Sequence, residues 1–419
     1  MLTRRDFLAA STIAGAAAAA GLTRVAFGQQ ANNAPILLVL SLRGGMDGLH
    51  FVAPVNDTNY IAQRPTTLRV ADSGATAGWS VASQSGLDFR AHAATVALRE
   101  LYQSRSLAFV HATGLMNPSR SHFDAMDMME RGVTDRAAPL RTGWLTRYLS
   151  GLGGADDGFK SAAIGSGLPA LFLGAEQTPS VSNPNDFRLW VDDYLRPYQM
   201  KILNGSFAGA DPVSTAMRRM LNTADVFEQK IPRAANGARV PYQPRAGVSY
   251  PADWPAGELS GALQAVAQLA KLDVGLQLAT VDFGDWDHHD GQEWRFRSRV
   301  AALSTALAAF WSDMQDFQSR LVIVTVSEFG RRLKSNNSGG TDHGHGNVMM
   351  LLGGPVQGGK LYGQWPGLAP DQLDEGDLAV TTDYRAVVAE IMTRLHPGSD
   401  AATLFPGFAA ASPALGLIA

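Results

Sequence analysis

LVIVTVSEFGRRLKSNNSGGTDHGHGN, residues 321–347, decides how the whole chain is read. Its first six residues are apolar and mostly β-branched, the length and character of a strand buried on both faces. Ser327 and Glu328 follow at once, then a polar loop of Gly, Asn and Ser. The loop ends in Asp342-His343-Gly344-His345, and apolar sequence resumes over 348–352. A carboxylate thus stands where a buried strand stops, and an Asp-His-Gly-His group returns beside it. Open α/β sheets collect their ligands at the carboxyl ends of strands. Asp, Glu and His are what a divalent cation can use when thiolate is absent, and the chain has no cysteine. Glu328, Asp342, His343 and His345 are therefore candidate metal ligands.

Two more strand ends carry similar groups. Residues 274–281 (VGLQLATV) read as a strand running into DFGDWDHHDG, 282–291. Asp287 and His289 alternate there, so in extended backbone they face one way. An EF-hand calcium loop begun at Asp285 fails, because its sixth position is Asp290, not Gly, and its twelfth is Phe296. Residues 35–42 (PILLVLSL) read as a first buried strand, followed by Arg43-Gly44-Gly45-Met46-Asp47-Gly48. Asp47 lies just past that strand end, as a metal ligand or as part of an ordinary Gly/Asp turn.

The strand pattern at 106–112 (SLAFVHA) follows helical spacing over 91–103, as in the βαβ units of parallel sheets. His111 within it reads as a packed core histidine. Residues 170–173 are strand-like, and 56–86 reads as loop or edge structure. In 113–132, Pro118-Ser119-Arg120-Ser121 marks a helix start, and Ser121-x-x-Asp124 has the spacing of a capping box. Ser121 is then a cap, or a hydroxyl at a helix N-terminus suited to an anion. Arg120 offers a planar clamp for that anion, and His122 a ligand or a base.

Length and composition bound the rest. The chain has 419 residues, 46% hydrophobic, with a formal charge of −3. That suits one large α/β domain with an insertion, and the small mixed charge argues against nucleic-acid binding. Arg4-Arg5 precede an Ala/Gly-rich apolar run over 8–22, with small residues at 26 and 28 (Ala26-Phe27-Gly28). This reads as a Tat export signal cleaved after Gly28; the alternative is a permanent membrane anchor, for which the run is short and only mildly apolar. Export would engage the Tat translocase and deliver the protein to the periplasm or beyond. Prolines recur through 183–257 around one helix-patterned stretch, 214–230, read as an insertion over the sheet edge within a single domain spanning 29–419. The expected fold is α/β, a mostly parallel central sheet with helices on both faces.

The twin-arginine segment, SLRGGMDGLHFVAP (41–54), NPSRSHFDAM (117–126), GDWDHHDGQ (284–292), SEFGRRLKSNNSGGTDHGHGN (327–347) and TTDYRAVVAEIM (381–392) resemble the exported bacterial family called domain of unknown function 1501. The resemblance covers nearly all of the mature chain. It implies a fold similar to the alkaline phosphatase and sulfatase superfamily. On that resemblance Asp47 is the first-strand carboxylate and Ser121 or Ser119 the nucleophile. Asp287 and His289 are the Asp/His pair, Glu328 stands at the next acid, and His343 or His345 is the last histidine. Arg43, Arg120 and His122 would meet the substrate. Two departures stand out: Phe329 follows Glu328 where that superfamily has His, and without cysteine no formylglycine can form. The function expected is a metal-dependent hydrolase of phosphate or sulfate esters, on a small-molecule or polymer substrate. The cofactor is a divalent metal, zinc, with Mg, Mn or Ca as alternatives. The competing expectation is an exported protein that binds metal or polymer without turnover, alongside a co-exported protein partner.

Overall fold

A computed structural model describes residues 33–152, 159–192, 194–409 and 414–419. The expected export signal lies outside these residues. Thirteen strands occur among them. In chain order they are β1 (Ile36–Leu42), β2 (Val52–Pro54), β3 (Trp79–Gln84), β4 (Leu87–Ala91), β5 (Leu107–Gly114), β6 (Ser161–Ile164), β7 (Leu278–Phe283), β8 (Leu321–Val326), β9 (Arg331–Ser335), β10 (Thr341–His343), β11 (Asn347–Gly353), β12 (Leu361–Tyr362) and β13 (Thr382–Asp383).

The central sheet has the order β12-β5-β11-β8-β1-β7-β6, with β13 also on β5. Its pairings are parallel except for those of β11, which runs antiparallel to β5 and β8. β1, at the middle, is buried over its full length. Its side chains alternate between two cores. Ile36, Leu38, Leu40 and Leu42 pack with the helices Val96–Gln103, Ala256–Lys271 and Gln292–Asp313. Leu37 and Val39 pack with His122–Arg131, Trp144–Gly151 and Tyr384–Leu395. Strands covered on both faces have no solvent side on which to place a polar residue, which is why they read as unbroken apolar runs. The sheet is thus the mostly parallel, helix-covered α/β sheet that the sequence leads one to expect.

Several local expectations are corrected. β7 begins at Leu278, not 274, and continues to Phe283. Asp273 and Gly275 both take positive φ, so the chain is still turning there and the apolar residues pack without a ladder. Residues 170–172 form a 3-10 turn, not a strand. Residues 56–86 contain a short helix, Thr58–Gln63, and β3 of a side sheet ordered β2-β4-β3. Within 183–257 lie two helices, Arg196–Ser206 and Pro212–Lys230; the first buries none of its residues. Among the described residues no helix is long and apolar enough to cross a membrane.

Register explains how distant residues meet. Leu42 pairs with Phe283, and Ser41 pairs with both Asp282 and Val326. The carboxyl ends of β1, β7 and β8 are therefore level, and the segments after them share one edge of the sheet.

Candidate metal centre

Close packing of backbone brings the three segments together. Gly44 has φ +117°, and a Cβ there would stand 2.7 Å from the Asp287 nitrogen, so glycine is required. The Trp286 amide donates to the Arg43 carbonyl (3.2 Å), and the Gly44 amide donates to Glu328 Oε1 (2.8 Å). Trp286 is buried and its indole N–H donates to the Phe283 carbonyl (2.8 Å), pinning the turn out of β7.

On this frame stand three imidazoles and one carboxylate. Asp287 Oδ1 lies 3.0 Å from His289 Nε2 and 3.1 Å from His343 Nε2, and those two nitrogens are 3.0 Å apart. On the other side Asp287 Oδ2 is 3.4 Å from His122 Nε2. His122, Asp287 and His343 each offer a ligand atom within 4.8 Å of the others. Asp287 and His289 are 44% exposed, His122 and His343 22%, so the cluster is open to solvent on one side.

The tautomers follow from the partners of the other ring nitrogens. His343 Nδ1 is 2.8 Å from the Arg120 carbonyl, which can only accept, so Nδ1 carries the proton. His122 Nδ1 is 2.7 Å from Glu328 Oε1 and His289 Nδ1 is 2.8 Å from Asp342 Oδ1. Both carboxylates are held ionised. Burial pushes Glu328 up, but the His122 hydrogen bond and backbone N–H groups more than offset it. Asp342 is lowered by its hydrogen bonds from Asn336 and His289. Each imidazole thus donates through Nδ1 and turns its Nε2 toward the cluster. Burial lowers the His343 pKa, which keeps that ring neutral. Its hydrogen bond to Glu328 raises the His122 pKa, and His122 Nε2 is buried without a hydrogen-bond partner.

Two imidazole nitrogens 3.0 Å apart repel unless a proton or a metal cation lies between them. Donor atoms around a tetrahedral zinc with bonds near 2.0–2.1 Å are separated by about 3.3 Å, close to the spacing of Asp287, His289 and His343 here. Metal-binding histidines characteristically donate their second nitrogen to a carboxylate or carbonyl, as all three do. These residues fit a divalent cation. Burial pushes the Asp287 carboxyl up, but the Arg331 guanidinium, His343 and His289 hold it well below the ordinary range, so it is ionised as a ligand must be.

Other sequence candidates stand elsewhere. Asp47 lies outside the cluster: Arg64 binds it through both oxygens (2.6 and 3.0 Å), and Gln292 Nε2 donates to Oδ2 (2.6 Å). His345 uses both nitrogens, on Asp374 (2.5 Å) and the Leu115 carbonyl (2.8 Å). Glu328 and Asp342 contact the cluster through His122 and His289. Arg43 is paired with Glu130 and Asp282, and Arg120 with Asp377 and Glu375. Ser121 is exposed at the N-cap of the His122–Arg131 helix, its Oγ accepting from the Asp124 amide (3.4 Å). Ser119 Oγ accepts from the Ser121 amide (3.3 Å). Sequence reasoning missed Arg64, Gln292 and Arg331 and left His122 as a ligand, a base or a substrate contact. A buried arginine carries no periodicity signal; only the position of Arg331, three residues past Glu328, hints at it.

The class is therefore a mostly parallel α/β protein with an imidazole–carboxylate cluster at the carboxyl edge of its sheet. Residues 243–407 match the model of the family described as protein of unknown function (DUF1501). That stretch includes Asp287, His289 and His343, while His122 lies before it. No curated protein sequence matches the chain. Solved structures similar to it include the PsFucS1 sulfatase from Pseudoalteromonas sp. (11% identity, 92% of this chain and 72% of that one, TM-score 0.39). Others are the alkaline phosphatase from the Antarctic bacterium TAB5 (9%, 77% and 93%, 0.33) and the C-terminal periplasmic domain of EcEptC from Escherichia coli in complex with Zn (8%, 77% and 73%, 0.34). At that level of likeness the neighbours say nothing of what this chain acts on.

Proposed function

We propose that the protein is an exported, metal-dependent hydrolase of phosphate or sulfate esters. The observation that carries the reading is the convergence of His122, His289 and His343 Nε2 on the Asp287 carboxylate, with every Nδ1 anchored on an acceptor. Imidazole nitrogen with one carboxylate suits zinc better than Mg or Ca, which prefer all-oxygen sites; Mn falls between. A bound divalent cation would polarise an ester oxygen and lower the pKa of a hydroxyl or water beside it.

The chain's own residues supply the rest. Glu328 and Asp342 hold His122 and His289 in orientation. Ser121, exposed and adjacent to His122, is the candidate hydroxyl, with Ser119 beside it. The N-terminal turn of the His122–Arg131 helix favours negative charge there. Purified mature protein should carry roughly stoichiometric divalent metal and cleave an aryl phosphate or aryl sulfate, and Asp287→Ala should lose both. Cleavage unchanged by that substitution would remove the reading.

One observation favours a second reading, a metal- or polymer-binding protein without turnover. Arg43, Arg120 and Arg331 all spend their guanidinium groups on internal carboxylates, leaving the anion to the cation and backbone amides. Metal content without hydrolysis across a broad ester panel would select this reading.

A further inference from the structure

Arg331 is 1% exposed, among the largest side chains fully buried in the described residues. Its guanidinium reaches two of the three segments that carry the candidate ligands, and the segment after β1 that packs against them. Nε donates to the Gly45 carbonyl (2.6 Å), and Nη2 to the Gly44 carbonyl, both in the segment after β1. Nη2 also donates to the Trp286 carbonyl (3.3 Å) and to Asp287 Oδ1 (2.6 Å), after β7. Nη1 donates to the Thr341 carbonyl (2.9 Å), two residues before His343. Gly45, at φ +66°, lets the chain pass so close that a Cβ there would stand 2.4 Å from the Phe329 ring.

We propose that Arg331 is a positioning residue of the centre: its guanidinium fixes the Asp287 carboxylate relative to the strand carrying His343, in the arrangement that receives the cation. The inference rests on the metal-binding reading of the cluster. Its physical basis is the planar fork. One guanidinium donates in several fixed directions at once, and a lysine ammonium, a single point charge on a flexible stem, cannot span the same acceptors. Carboxylates that ligate metals are themselves held by hydrogen bonds, and loss of such a partner weakens metal binding about 10- to 100-fold. Arg64 is an internal control. It is as deeply buried and also pairs with a carboxylate, through two bonds, but its partner is Asp47, outside the cluster.

The test uses zinc and cobalt(II) on the full mature protein. Arg331→Lys should lower zinc affinity about 10- to 100-fold in competition with a chelator. It should also change the visible absorption of the cobalt(II)-loaded protein, which reports ligand geometry, while far-ultraviolet circular dichroism keeps its wild-type shape. Wild-type zinc affinity and an unchanged cobalt spectrum in Arg331→Lys would overturn the assignment. If that variant does not fold, the wild type decides. Zinc added to metal-free protein should shift the side-chain nitrogen resonances of Arg331 and leave those of Arg64 in place; resonances of Arg331 that stay put would refute it. Wild-type protein that takes up no zinc defeats the metal reading itself, an outcome distinct from a wild type that binds zinc and a variant that binds it equally well.

Discussion

Asp47 and Asp287 leave the same edge of the sheet, after β1 and β7, and enter opposite environments. Asp47 is 2% exposed, and its two oxygens are taken by Arg64, Gln292 and the His50 amide. Asp287 is 44% exposed and faces the Nε2 atoms of three imidazoles. The first is a closed ion pair; the second is a half-satisfied site. A carboxylate past a strand end is thus not a ligand by virtue of its place. What separates the two is how far buried donors have consumed them: both Asp47 oxygens are taken, whereas the buried Arg331 guanidinium holds only Oδ1 of Asp287, and those donors come from parts of the chain that strand-end reasoning does not inspect.

The largest effect that would break this contrast is on stability. Asp47→Ala strands the Arg64 guanidinium, whose side chain is fully buried, and should cost about 3–5 kcal/mol, measured by denaturant unfolding. The fraction that folds should keep its zinc. Loss of zinc from folded Asp47→Ala would put both carboxylates in one site. Asp287→Ala should instead reduce zinc affinity more than about 100-fold, beyond what an outer partner costs.

Acid separates a third group of residues from both. Burial lowers His92 and His288 to about 4. In the unfolded chain these imidazoles titrate near 6.5, so below that pH the unfolded state binds more protons. Stability should therefore fall as pH drops from about 6.5 to about 4 and then stop changing on their account. The depressed Asp47 carboxyl adds its loss only below the ordinary carboxylate range. His92→Asn should flatten the melting-temperature slope between pH 6.5 and 4; an unaltered slope would show that His92 is not neutral in the fold.

The smallest effect concerns Ser121. Removing a cap whose bond is already long, 3.4 Å, should cost about 0.5–1 kcal/mol. Ester cleavage, if Ser121 attacks, should vanish, whereas zinc content should not move. Full activity in Ser121→Ala transfers the nucleophile to Ser119 or to water.

The sheet was legible because strands buried on both faces leave an unmistakable apolar run: β1, β5, β8 and β11 are visible as such in the sequence. The antiparallel course of β11 was not, since direction is set by register with β5 and β8 and not by composition. At the site, Asp287, His289 and His343 were legible because they crowd behind strands. His122 was ambiguous, since a histidine after a helix cap looks the same as a ligand or as a base. Its place beside Asp287 emerged only in the fold, with Glu328, 206 residues away, hydrogen-bonded to its Nδ1. His345, two residues from His343, has the same local sequence context and faces the other way, onto Asp374 and the Leu115 carbonyl. Alternation along an irregular segment cannot tell such neighbours apart.

Zinc bound by purified mature protein, wild type and Asp287→Ala side by side, tests the central claim most directly. The account predicts roughly stoichiometric zinc in the wild type, resistant to dialysis, and almost none in the variant. Equal zinc in both proteins, or none in the wild type after incubation with the metal, would contradict it.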